Sequence, residues 1–349
     1  MDKYANIKKV LGEMTPNSGN GFAPEIYSYD DVRQDEDLLR AWKFSPKYQE
    51  IDSDHSSKLL EYAFTHSAET SDWFYEEKLY ANDPDWQAFT TVPTSEIDDV
   101  FNHVDAVGLI SNEITGHKTM PFAIDLTYNT DADKIKKKFN WVHVRGKKES
   151  SNDKSEFGES WTERTEQGTF TTMTKSLPLK EREGLKIPGF ASVKYFEDTN
   201  GTDMLPKGRI QIMPRFIVGF NPGIASILMQ GASAKEYATA NQLARWCTLI
   251  ELCEQSKSIK TYLDALPEEK TKHMDAKEFS IAKEQIKMAN EYFSKSLQEA
   301  ENASRTNSDI LLAKFAAERD FVCQTILAQT KITFNPPSSE HHRFFVSHM

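Results

Sequence analysis

Residues 103–129 read HVDAVGLISNEITGHKTMPFAIDLTYN, and this stretch constrains the fold more than any other. Two apolar runs, VDAVGLI and FAIDLTY, have the length and β-branched content of strands. The polar segment between them carries Asn112 and Gly116, which suit a hairpin connection. Each run also holds an aspartate, Asp105 and Asp125. An isolated ionised carboxylate in an apolar site costs several kcal/mol unless it is paired or binds a cation. The hairpin must therefore supply an answering charge, or the acids must end strands or accept backbone N–H bonds at a bend.

Strand alternation sets Asp105 on one face with Val107 and Leu109, and Asp125 on one face with Ala123 and Thr127. Two neighbouring antiparallel strands can bring the carboxylates close enough to share a divalent cation. Mg²⁺ takes carboxylate oxygens and waters and needs only one or two protein carboxylates. Such an ion can clamp a phosphate oxygen and lower the pKa of a bound water for in-line attack. His103, beside this pair, reads either as a strand-edge histidine or as a metal or proton-transfer residue.

The surrounding order is an acid-bearing segment (SEIDD), the Asp105 strand, a turn, the Asp125 strand and a helix opening at TDADKIKKKFN. Thr130 or Asp131 is the expected N-cap, with acidic residues in the first turn. This order, over residues 94–140, resembles the PD-(D/E)xK, or restriction-endonuclease-like, nuclease superfamily. The resemblance implies a mixed sheet flanked by helices and Mg²⁺- or Mn²⁺-dependent cleavage of DNA or RNA phosphodiesters. It gives Asp105 the place of the first strand aspartate and Asp125 that of the second acid. Glu96 takes the place of the helix acid that some members add, with Asp98 or Asp99 as alternatives. The implied metal ligands are Asp105, Asp125 and Glu96. The family's lysine, two residues after the second acid, is replaced by Thr127. Some members supply a lysine from the following helix, where Lys134, Lys136, Lys137 and Lys138 stand; Lys134 is the first stand-in and Lys136 the second. The bland alternative for KIKKK is the solvated face of a helix.

The rest of the chain frames this motif. Its 349 residues suffice for two or three domains or one large one. We expect an N-terminal helical and loop region at 1–90, a mixed-sheet core at 91–232, a helical region at 233–331 and a flexible tail at 332–349. Within 1–90, short helices are expected at 3–13 and 31–47, and one or two amphipathic helices at 55–80. Residues 145–186 are polar, without a core signal before about 170, and read as a flexible or solvent-facing insertion. Residues 187–220 return to strand character. FIVGF (216–220) reads as a buried central strand with Pro214 at its start, and Arg215 entering it can pair with an acid or bind a phosphate. Helices are expected at 234–263 and 276–304, then a third running from Ser308 or Asp309 through ILLAKFAAERDFVCQTILAQ. The fold class is α/β, or α+β, with helices flanking a mixed sheet.

The net charge of −11 argues against wholesale coating of nucleic acid but allows a local basic patch. Three cysteines make no disulfide framework, no run approaches about 18 apolar residues, and a cytoplasmic protein without membrane contact is expected. His341, His342 and His348 in the tail match a metal tract only by composition. No phosphate-cradling loop, nucleophile elbow, HExxH or paired CxxC occurs. Two function classes remain: a Mg²⁺- or Mn²⁺-dependent nuclease-like hydrolase, or a non-catalytic scaffold of phage, viral or mobile-element type with a degenerate nuclease-like core. The C-terminal helices would then serve a protein partner or a homo-oligomer.

Overall fold

The structure is a computed structural model. It describes residues 61, 64–65, 67–68, 73–75, 89–94, 104–110, 114–115, 119–139, 142–143, 158–164, 170–176, 187–196, 208–230, 233–267, 271 and 276–335. The elements expected at 3–13 and 31–47 and the tail histidines lie outside these residues.

In chain order the strands are β1 (Phe89–Pro93), β2 (Ala106–Ile110), β3 (Met120–Thr127), β4 (Gly158–Arg164), β5 (Phe170–Ser176), β6 (Phe190–Phe196) and β7 (Gly208–Gly219). The helices are α1 (Ala132–Phe139), α2 (Pro222–Gln230), α3 (Ala234–Asp264), α4 (Ala276–Ser304), α5 (Ser308–Ala317) and α6 (Phe321–Thr333). Five strands form a mixed sheet in the order β1-β2-β3-β7-β6. β1, β2 and β3 are an antiparallel meander, and β7 lies parallel to β3 and antiparallel to β6. The parallel β3–β7 pair needs a crossover, and α1 lies within it.

Alternation divides the sheet into two faces. Phe122, Ile124, Leu126, Phe216 and Val218 join the main core, which continues into α3 and α4 through Leu249, Leu252, Ile286 and Phe293. The sheet and the C-terminal helices thus share one core. Phe122 is its hub, with ring centroids 5.8 Å from Phe216, 5.3 Å from Phe293 and 6.0 Å from Phe89. Gly108 is the cross-strand partner of Phe122, and a Cβ there would collide with the Phe122 ring. Aromatic pairs of this kind, here edge-to-face or tilted, each add about 0.5–1.5 kcal/mol beyond their buried area.

The opposite face carries two apolar clusters. One joins Val107, Leu109, Ala123, Ala191, Val193 and Met213. The other packs Ile217 against Ile135 and Phe139 of α1 and Val322 and Ile326 of α6. Asp125 and Arg215 occupy this same face between them, by the parity of β3 and β7.

β6 pairs only with the first half of β7, through Phe190↔Pro214, and beyond that point α3 takes over the edge. Gln255 Oε1 accepts from Ile217 N at 2.9 Å and Gln255 Nε2 donates to Ile217 O at 2.7 Å. Glu251 Oε2 accepts from Gly219 N at 2.9 Å. Two buried side chains thereby pair strand backbone that would otherwise lack partners.

Several features differ from the sequence expectations. Asp105, expected within a strand, lies at a bend just before β2, where its carboxylate accepts a backbone N–H. β4 and β5 form an antiparallel hairpin inside the stretch read as a flexible or solvent-facing insertion. Its pairing is backbone pairing between two largely polar runs, GESWTER and FTTMTKS, which carry no sustained apolar alternation to announce it. Pro214 does not start its strand: β7 begins at Gly208, and Pro214 sits where pairing with β6 ends. The third C-terminal helix is two helices. Asp320 side-chain oxygen accepts from Val322 N and Cys323 N at 2.9 and 3.0 Å, capping α6 and stopping α5 at Ala317. Asn307, one residue before the expected caps, caps α5.

Candidate functional site

The site is built where β2, β3, β7 and α1 meet. Asp105 is a bend residue just before β2, and its N–H donates to Ile124 O at 2.9 Å. Its Oδ2 accepts from Leu126 N at 2.6 Å. The β2–β3 register pairs Ala106 with Ile124, so one further step sets Asp105 opposite Asp125. Directly opposed cross-strand residues have Cβ atoms about 4.5–5.5 Å apart. Asp105 is half-buried, and Asp125 is buried at 2% exposure.

Two cations answer the two acids. Arg215 pairs across β7 with Ala123, two residues before Asp125 on the same face. Its Nη2 donates to Asp125 Oδ2 at 3.4 Å. Lys138 comes from the last turn of α1. That helix buries Ile135 and Phe139, and Lys138 borders this buried stripe, three residues past Ile135. Its ammonium pairs with Asp125 Oδ1 and donates to Leu126 O. The side chains differ sharply in access: Asp125 is 3% exposed, Arg215 7% and Lys138 30%.

The α1 N-terminus is fixed as its sequence implies. Asp131 Oδ1 accepts from Asp133 N at 2.9 Å, while Asn129 Oδ1 accepts from Asp131 N at 2.9 Å. These caps set the helix phase, and the phase decides which lysine reaches the acids.

Electrostatics follow from this packing. Burial alone would lower the Lys138 ammonium, but Asp125 and Asp105 outweigh it and hold the lysine above its ordinary value. Burial pulls the Arg215 guanidinium below its ordinary value, with Asp125 and Asp105 opposing. The four groups sum to zero formal charge.

His143, which the sequence reading did not single out, lies beside them. It is 3% exposed, and its ring sits 5.2 Å from Phe139 and 5.1 Å from Phe334 between centroids. Burial, and then Arg215, push it well below the usual histidine range, so it is neutral. Neither ring nitrogen has a hydrogen-bond partner among the described residues. The sequence WVHV gives it no signal beyond an apolar setting.

The expected site residues divide clearly. Asp105 and Asp125 face each other, and Arg215 joins them as the partner for an acid. Lys134, Lys136 and Lys137 are exposed on α1, and the lysine on the acids is Lys138. Thr127 is buried, and its Oγ1 accepts from Asn129 N at 3.4 Å. Glu96, Asp98, Asp99 and His103 lie outside the described residues.

The donor set suits a hard cation. Two carboxylates offer oxygen ligands of the kind Mg²⁺ or Mn²⁺ takes, and an ion that keeps several waters needs no more than these. Among the described residues no three His, Cys, Asp or Glu side chains converge as a ready metal cage. Comparison with family models, curated proteins and solved structures yields no match.

Proposed function

We propose that the protein is a metal-dependent nuclease-like hydrolase with a restriction-endonuclease-like core, cleaving DNA or RNA phosphodiesters in the cytoplasm. One observation carries this reading: Asp105, at the bend entering β2, stands opposite Asp125 of β3, and Asp125 receives a lysine from the helix that follows it. The mixed sheet with flanking helices agrees with the resemblance.

Asp105 and Asp125 would hold Mg²⁺ or Mn²⁺, with Glu96 adding a ligand. The bound ion would supply Lewis acidity and a water of lowered pKa. Lys138 stands in for the lysine missing at Thr127 and contacts the scissile phosphate or the attacking water. Arg215 orients Asp125 from the buried side by holding Oδ2. Lys134 and Lys136, exposed on the same helix, contact flanking backbone phosphates, which gives an acidic protein a local hold on nucleic acid.

The test is cleavage of single- and double-stranded DNA and RNA with Mn²⁺ present. The wild type cleaves at least one substrate, and the Asp105→Asn, Asp125→Asn double variant cleaves none while still folded. Cleavage undiminished in the double variant would overturn the assignment.

A second reading has its own support. The charge-balanced cluster is what a purely structural buried network would look like. Leu312, Phe315, Phe321 and Ile332 on α5 and α6 are large apolar side chains about half or more exposed, as a protein-binding face or homo-oligomer contact would be. Absence of both cleavage and metal binding would favour this non-catalytic scaffold of phage, viral or mobile-element type.

A further inference from the structure

We infer that Lys138 is a displaceable counter-ion: it covers the Asp105–Asp125 pair until a divalent cation takes its place, and the released ammonium then serves a phosphate oxygen. The inference rests on the nuclease-like reading of the site and adds an order of events and a coupling between metal and substrate.

Three observations lead to it. The first is the gradient of access. Asp125 and Arg215 are sealed at 3% and 7% side-chain exposure, whereas Lys138 retains 30%. Of the two cations described on Asp125, Lys138 is the more exposed, so an ion approaching this carboxylate displaces the lysine rather than the arginine. The second is the way each cation is held. Arg215 is fixed on a central strand, with its backbone N–H donating to Gly189 O at 2.8 Å. Lys138 hangs on a four-carbon stem from the end of a short helix, so its ammonium can move without moving backbone. The third is what the ammonium touches. It bonds Asp125 Oδ1 and the Leu126 carbonyl, both oxygen acceptors of the kind a hard divalent cation prefers.

The charge balance supplies the consequence. With Lys138 in place, two carboxylates meet two cations and the formal sum is zero. Adding a divalent ion while retaining both basic residues raises the sum to plus two. A neutral site has little pull on a phosphodiester, whereas the loaded site attracts it, and the freed lysine is at hand to meet it. Metal and phosphodiester therefore bind with positive coupling, which must be reciprocal. Lys138 competes for the acids in the empty site and reinforces substrate in the loaded one.

The experiment is calorimetric titration of Mn²⁺ into the wild type and into Lys138→Met, each checked for folding by circular dichroism. Methionine keeps the apolar stem and removes the competing charge. The variant binds Mn²⁺ about tenfold more tightly than the wild type, an estimate from the usual strength of a charge-assisted hydrogen bond. A short phosphorothioate oligonucleotide is then titrated with and without Mn²⁺. The metal tightens its binding to both proteins, because the ion adds two charges in each, and does so several-fold more in the wild type, where the released ammonium joins the ion. Equal or weaker Mn²⁺ binding by the folded variant would overturn the displacement, even with the metal site itself upheld. Failure of both folded proteins to bind Mn²⁺ would overturn the metal reading and the displacement with it.

Discussion

Replacing Asp125 by alanine should be among the most damaging single changes in the sheet, and the structure says by how much. The carboxylate holds two cations of very different burial. Arg215, 6% exposed, cannot reach water when its partner goes, and breaking a buried pair by removing one member costs about 3–5 kcal/mol. Lys138, with 30% of its side chain exposed, can swing into solvent and adds about 1 kcal/mol or less. Asp105 also acts on Arg215 and absorbs part of the loss, which puts the expected cost near the lower bound, about 3 kcal/mol. Lys138→Met leaves Asp125 buried but still bonded to Arg215, and should cost less than Asp125→Ala, about 1–2 kcal/mol. The assay is urea unfolding with EDTA present, comparing midpoints at constant slope so that stability alone is read. An Asp125→Leu, Arg215→Met double variant, which removes both charges, should recover most of the loss. A cost below about 1 kcal/mol for Asp125→Ala, or equal costs for Asp125→Ala and Lys138→Met, would refute the view that Arg215 depends on this carboxylate.

Other expectations follow from single contacts. Burial pushes the Glu251 carboxyl well above the usual range, so its folded-state pKa exceeds its unfolded one. Its stabilisation is then complete below the ordinary carboxyl range and is lost as pH rises through the folded value. Urea midpoints measured from about pH 5 to 9 should fall in the wild type, and Glu251→Gln should flatten the decline. Glu251→Leu leaves Gly219 N–H without its acceptor and should cost about 1–3 kcal/mol near pH 5, with the difference from the wild type shrinking as pH rises. Gly108→Ala drives a methyl into the Phe122 ring and should cost about 1–3 kcal/mol, read as a lower melting temperature. Lys134→Ala and Lys136→Ala, both exposed, should shift stability by less than about 0.5 kcal/mol. Each should also reduce the salt dependence of oligonucleotide binding by roughly one phosphate contact.

Much of the sheet was legible because its strands announce themselves. VDAVGLI and FAIDLTY alternate or run apolar, and β2 and β3 form within them, Asp125 inside β3 but Asp105 at the bend just before β2. FIVGF is buried as its continuous apolar character implied. The long helices α3 and α4 follow from their spacing almost to the residue. The lysine was harder. Four of the five residues at 134–138 are lysines, and composition cannot distinguish them. The phase of α1 does, because Ile135 and Phe139 turn inward and carry Lys138 to the acids. Arg215 was recognisable as a charge needing a partner, but its partner depended on the parallel β3–β7 register, which only the fold supplies. His143 had no sequence signal, since a single histidine between valines is common in ordinary cores. The β4–β5 hairpin and the break at Asp320 escaped for opposite reasons. The first lacks apolar periodicity, and the second lies within a run whose periodicity continues across it.

On the proposed function, Asp105 and Asp125 form a cation site rather than a closed structural network. The most direct test is calorimetric titration of Mg²⁺ into the wild type and into Asp125→Asn, with folding of both confirmed. Mg²⁺ should bind the wild type and not the variant, because asparagine removes the charge but keeps the shape. Binding of equal strength to both folded proteins would contradict it.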